Sequence, residues 1–201
     1  EIEPDAFREI IHFFEENEER IKKLEFERYF EVLVAYVNAL FEFEKYLKHL
    51  DVVDIAIEAS IVHNIKIYDN QDIYRTLLYQ KAVASFHSLE YDRTDHILRE
   101  LIRMDNEDED AIQLLEKTLR AIHPDYLQKS RAASVLAFLF SAIIICIEII
   151  LIRTLFPEWQ NLIEWIRNSL FVTGWLALVF GELKHHFSVK KEIKRFVKSL
   201  F

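Results

Sequence analysis

An all-α fold is predicted: antiparallel helix pairs, then a transmembrane helical hairpin, then an amphipathic tail helix. Three observations predict it. Apolar residues recur at three- and four-residue spacing through most of the first 124 residues. The chain holds only two glycines and three prolines, too little turn chemistry for a sheet protein. Ala132–Ile152, AASVLAFLFSAIIICIEIILI, contains a single charge, Glu148, in a chain that is 29% charged.

The opening stretch FREIIHFFEENEERIKKLEFERYFEVLVAYVNALFEFEKYLKHL is helical by period. The charged EENEERIKK interrupts it, so a break is expected near residues 16–22. Asp51 or Asp54 is expected to cap the next helix, VVDIAIEASIVHNIKI. IYDNQD (Ile67–Asp72) and RMDNED (Arg103–Asp108) then share an Asp-Asn pair at a spacing of 36 residues. Each follows one apolar-periodic helix and precedes another, and periods in the mid-thirties mark paired-helix repeats.

Between those segments, LLYQKAVASFHSLEYDRTDHILRELIRMDNED resembles a tetratricopeptide repeat. Leu78 stands at the first bulky position and Ala82 at the small one. Tyr91 opens the second helix, and Leu98 and Leu101 fill its inner face. The unit departs from the family in lacking glycine and proline and in placing Thr94 where alanine is usual. The resemblance covers residues 77–108 well and 35–70 loosely. It implies a binding scaffold with a concave groove, to which Tyr79, Lys81 and Phe86 would contribute. AIQLLEKTLRAI (Ala111–Ile122) would be its capping helix, ended by Pro124.

Ala132–Ile152 is 21 residues, about 31 Å of helix at ~1.5 Å per residue. A bilayer core is about 30 Å thick. A buried core helix fits the same composition only if apolar partners surround it completely. A second span over about 166–183 is built on NSLFVTGWLALVFG, whose 14 uncharged residues are short for a span and lengthen at both ends. Upstream, Glu164 and Arg167 are three apart and can pair; downstream, Glu182 and Lys184 can snorkel. Pro157 follows the first span and ends it. Trp159 and Trp165 are the expected interface anchors, with Trp175 near that level.

Basic residues set the orientation. Lys129 and Arg131 precede the first span. Lys184, Lys190, Lys191, Lys194, Arg195 and Lys198 follow the second, while the connection has Arg153 and, at its far end, Arg167. The positive-inside rule puts both termini on the cytoplasmic side of an integral membrane protein. The expected organisation is an acidic cytoplasmic domain over 1–124, a transmembrane hairpin over 125–183 and a basic amphipathic tail over 184–201. In the tail, Val189, Ile193, Val197 and Leu200 share a stripe opposite lysines, the pattern of a helix lying in the interface. Lys190, Lys191, Lys194, Arg195 and Lys198 would contact lipid headgroups. A solvated tail packed on another subunit fits the same pattern.

Glu148 requires an account, because a carboxylate in lipid must face protein or water. Its depth in an antiparallel hairpin matches Asn168–Thr173, so Thr173, Ser169 and Asn168 are the expected partners. Snorkelling with help from Arg153 is the competing reading. Ser134 and Ser141 lie seven apart and share a face suited to a pore or to packing. Gly174 and Gly181, also seven apart, offer a helix-packing face.

Residues 1–128 hold 29 acidic and 15 basic residues, a net of −14; residues 129–201 hold 5 and 10, a net of +5. The acidic front argues against nucleic-acid binding there. Cys146 is the single cysteine, so no intramolecular disulfide forms, as in a reducing compartment. The chain opens at Glu1 without methionine, which reads as trimmed. No signal peptide is visible, and a removed export signal remains compatible.

No enzyme is expected, nor any cofactor or metal. Both glycines lie in the second span, so no phosphate loop exists. His185 and His186 are adjacent and point apart on a helix; they read as solvated at the lipid boundary. Arg8 and His12, one turn apart, read as a surface pair. DNEDED (Asp105–Asp110) lacks a calcium loop's central glycine, and carboxylates at a helix start are explained by the macrodipole. The expected function is a membrane-anchored scaffold binding a protein partner at the cytoplasmic face. The alternatives are a self-associating, homo-oligomeric effector or channel, and an accessory subunit of a larger membrane complex.

Overall fold

The computed structural model describes residues 4–152 and 156–200, and among these the chain is helical apart from one two-stranded hairpin and short connections. Two compact units divide it: Glu1–Leu119 with Phe196–Phe201, and Arg120–Arg195.

In the first unit, α1 (Pro4–Ile21), α2 (Phe26–Glu42), α3 (Tyr46–Val62), α4 (Ile73–His87) and α5 (Tyr91–Met104) pack each on its sequence neighbour. α6 (Glu109–Ala121) completes it. α2 is the central element because its Phe30, Leu33, Val34, Val37 and Leu40 recur every three or four residues and are all buried. Ile11 and Phe14 of α1, Val53 and Ala56 of α3, and Ile73 and Leu77 of α4 join the same core. Leu98 and Leu101 of α5 and Leu115 of α6 are buried in turn.

Helix ends explain how the chain turns with so little glycine. Glu44, Asn64 and Leu89 each adopt positive φ (56°, 52° and 63°). After each, the chain closes a Schellman pair of backbone bonds: Lys45 N–H to the Leu40 carbonyl, Ile65 to Ser60, and Glu90 to Ser85. Side-chain caps start two helices. Asp72 accepts from the Arg75 N–H at 3.0 Å, and Asp108 from the Ala111 N–H at 3.0 Å.

The first break falls after Ile21, where a break near residues 16–22 was expected. Ile21 is 3% exposed, and the Glu18–Lys22 ion pair (2.7 Å) supports the last turn. α3 starts at Tyr46, before Asp51 and Asp54, because the chain re-enters a helix directly after the Glu44 turn. Asp54 instead pairs with Lys81 (2.5 Å) and Arg93 (3.4 Å).

The two Asp-Asn segments are not equivalent. Asp69 and Asn70 both have positive φ and turn a small hairpin, β1 (Ile67–Tyr68) with β2 (Gln71–Asp72). Asp105 is extended (φ −144°, ψ 103°) and closes α5. Arg75 bridges the segments, reaching Asp105 (2.7 Å) and Asp108 (2.8 Å).

In the second unit, α7 (Asp125–Ile147) starts behind Pro124 and continues as a π turn, Glu148–Ile152. A 3₁₀ turn (Pro157–Trp159) leads into α8 (Gln160–Lys198). α8 is one unbroken helix, so the expected tail continues the second apolar segment rather than forming a separate helix.

Candidate functional site: the paired apolar helices

Two described helices are long and apolar enough to cross a membrane. The most apolar 18-residue window of the first, Asp125–Ile150, has mean hydropathy 2.6, and that of the second, Gln160–Lys198, 1.2. Only 17% and 6% of their most apolar windows are buried in the protein. Leu139, Phe140, Ile143 and Ile150 stand exposed on the first, and Phe171, Trp175, Leu176 and Phe180 on the second. A soluble core helix is buried around its circumference; these two are not.

The small and polar residues face inward instead. Leu127, Ser134, Ser141 and Glu148 follow one another at intervals of seven residues, and all four are buried. That spacing returns a helical position to nearly the same face. Gly174 and Gly181 of α8 are buried against α7. A Cβ at Gly174 would stand 3.0 Å from the Ala137 Cβ, and one at Gly181 would stand 2.5 Å from the Ser130 Oγ. As numbers rise along α7, those of its α8 partners fall, so the pair is antiparallel. Small residues permit this backbone approach.

Polar bonds run along the seam. The Ser130 hydroxyl donates to the Ala177 carbonyl and the Ser134 hydroxyl to the Ser130 carbonyl. Arg131 pairs with Glu182 at 2.7 Å. His185 is buried rather than solvated, correcting the sequence reading. Its Nε2 lies 3.3 Å from the Arg120 carbonyl, which can only accept, so Nε2 carries the proton. Nδ1 then accepts from the Tyr126 hydroxyl at 3.4 Å. The Lys184 ammonium rests over the Tyr126 ring, 4.7 Å from its centroid.

At the opposite end of the seam, Glu148 meets Arg167, with Nη1 to Oε2 at 2.5 Å. The Glu148 side chain is 1% exposed and that of Arg167 23%. The expected partners Thr173, Ser169 and Asn168 have bonds within their own helix. The Thr173 hydroxyl bonds the Ser169 carbonyl at 2.7 Å within its own helix, and the Asn168 Oδ1 accepts from Arg167 Nε at 3.3 Å. Glu164, the sequence-nearest partner for Arg167, takes Gln160 at 3.1 Å. Arg153 lies outside the described residues. Sequence reasoning missed the pair, although one signal was present: Glu148 is seven residues beyond Ser141, and Arg167 seven before Gly174. The π turn begins at Glu148 itself, a feature that sequence spacing does not announce.

The remaining residues are placed as follows. Trp159 (55%) and Trp165 (71%) are exposed, as are Lys190, Lys191, Lys194, Arg195 and Lys198. Val189 is buried, and Ile193, Val197 and Leu200 are half-buried. Phe196 lies beneath the guanidinium groups of Arg99 (5.0 Å) and Arg103 (6.0 Å). Among the described residues no group of three or more His, Cys, Asp or Glu is arranged to hold a metal. Asp105 and Asp108 of the acidic run bond the backbone N–H groups of Glu107 and Ala111. The chain matches no protein-family model, no curated protein and no solved structure.

Proposed function

We propose that this chain is a membrane-anchored helical scaffold that binds a protein partner at the cytoplasmic face. The single observation that carries the anchor is the inside-out distribution of the second unit: polar seam within, bulky apolar side chains without. Water would solvate those outer faces at a cost of about 25 cal/mol per Å², whereas lipid accepts them. The exposed basic residues from Lys190 to Lys198 supply an attraction for anionic headgroups on the side that holds both termini. The tetratricopeptide-like pair α4–α5 supplies the scaffold reading: Leu78, Ala82, Leu98 and Leu101 are buried in it, leaving its other faces for a partner. A pore lined by Ser134, Ser141 and Glu148 requires a packing other than the one found, because those residues face α8.

Cys146 tests the anchor directly. It is exposed on α7 and is the single cysteine. In proteoliposomes it should react with a membrane-permeant maleimide and resist a charged one until detergent is added. Rapid labelling by the charged reagent in intact vesicles, or release of the protein by alkaline carbonate, would overturn the reading.

A further inference from the structure

We infer that the groove between α1 and α2 is the docking site for a basic amphipathic helix of the partner protein. The inference deepens the scaffold reading and rests on it. The groove is open and offers about 630 Å³. Ile10 and Phe13 of α1 and Val32 and Ala35 of α2 make its apolar floor, and Glu9 and Glu31 stand one on each helix at its rim. Among the described residues no basic side chain lines it.

Phe13 is the unusual residue. Ile11 and Phe14 carry the core face of α1, yet the neighbouring Phe13 is 55% exposed in a helix whose other exposed residues are Arg8, His12, Arg20 and glutamates. A large aromatic presented to solvent beside an apolar hollow is the kind of anchor that concentrates binding energy. Glu9 and Glu31 are both exposed, and neither is engaged by a cation among the described residues. An incoming helix with an apolar stripe would fill the hollow, and lysines or arginines flanking that stripe would meet the two carboxylates. Helix-in-groove recognition supplies the affinity and charge complementarity the choice of partner.

The test uses the full chain in zwitterionic nanodiscs, with empty discs as reference. The probe is a fluorescein-labelled leucine–lysine amphipathic helix of about 18 residues, read by anisotropy. Saturable binding is expected, weakened at least tenfold by Glu9→Lys/Glu31→Lys and by Phe13→Ser, and retained by Phe13→Leu. All substituted positions are exposed, so the fold should survive. Equal weakening by the control Glu58→Lys/Glu107→Lys would reduce the effect to net charge and overturn the inference. So would equal binding of a leucine–glutamate helix, or unchanged binding by the groove variants. Protection of Cys146 from charged maleimide, measured on the same samples, reports the anchor separately. Intact protection with no groove effect rejects the groove alone; lost protection rejects the anchor alone.

Discussion

Removing the Arg167 guanidinium is the sharpest perturbation of the apolar pair. Arg167→Leu strips a charge partner from Glu148, whose side chain is 1% exposed. With an effective dielectric near 20, opposite charges about 4 Å apart attract by ~4 kcal/mol. Breaking a buried pair costs about 3–5 kcal/mol, because the charge that stays behind loses that share of its compensation. Arg167 is 23% exposed, so solvent already screens part of the attraction, and the lower end, about 3 kcal/mol, is expected. The double variant Glu148→Leu/Arg167→Leu removes both charges and should return to within about 1 kcal/mol of the parent. The assay is denaturant unfolding of the full chain in lipid bicelles, followed by tryptophan fluorescence. Trp165 lies two residues from Arg167 and reports that end of α8. A single variant as stable as the parent within about 0.5 kcal/mol would refute the reasoning, as would a double variant damaged as badly as the single.

Three further outcomes are expected. Gly181→Ala should destabilise the pair by about 1–3 kcal/mol, since its Cβ would stand 2.5 Å from the Ser130 Oγ, and it should cost almost nothing in a Ser130→Gly background; the same unfolding assay measures both. His49 is fully buried, with Nδ1 3.1 Å from the Val37 carbonyl and Nε2 without a partner, and burial holds its pKa below 6.5. The unfolded chain therefore binds the proton more readily, so stability is full above pH 6.5 and falls as the pH drops toward the lowered pKa; His49→Asn should flatten that limb in thermal melts. Asp108→Ala loses both the Ala111 cap and the Arg75 ion pair and should cost about 1–2 kcal/mol, whereas Asp108→Asn keeps the cap and should cost less than half of that, read by the midpoint of far-ultraviolet circular dichroism melts.

The all-α class was legible because residues such as Leu33, Val37 and Leu40, or Leu98 and Leu101, repeat at helical spacing. So was the start of α7 behind Pro124. Helix ends were harder to place. Glu44 and Leu89 adopt the left-handed turn that glycine usually fills, so no residue type advertised it. The small hairpin at Ile67–Asp72 hid because two-residue strands carry no readable alternation. Glu148 was recognised as a residue in need of a partner, but Arg167 was not named for it, for a geometric reason. Sequence offered Glu164 to Arg167 at a spacing of three. The antiparallel register of α7 and α8 brings a better-buried carboxylate to the same guanidinium.

The inward seam also limits where partner specificity can reside. Gly174 and Gly181 are the chain's two glycines, and both are covered by α7, so their close-approach surface is already occupied. The outer faces offer Leu139, Phe140, Phe180 and similar side chains. In lipid such residues gain little by exchanging hydrocarbon for hydrocarbon, and they discriminate poorly between neighbours. On the proposed scaffold reading, selective recognition therefore falls to the charged helical unit. There Glu9, Glu31 and the exposed Phe13 combine shape with charge, and water makes apolar burial favourable. On this reasoning, replacing α7 and α8 by an unrelated apolar hairpin should preserve capture of a leucine–lysine helix, whereas Glu9→Lys/Glu31→Lys should abolish it with the native hairpin in place. The opposite pattern would put recognition in the membrane.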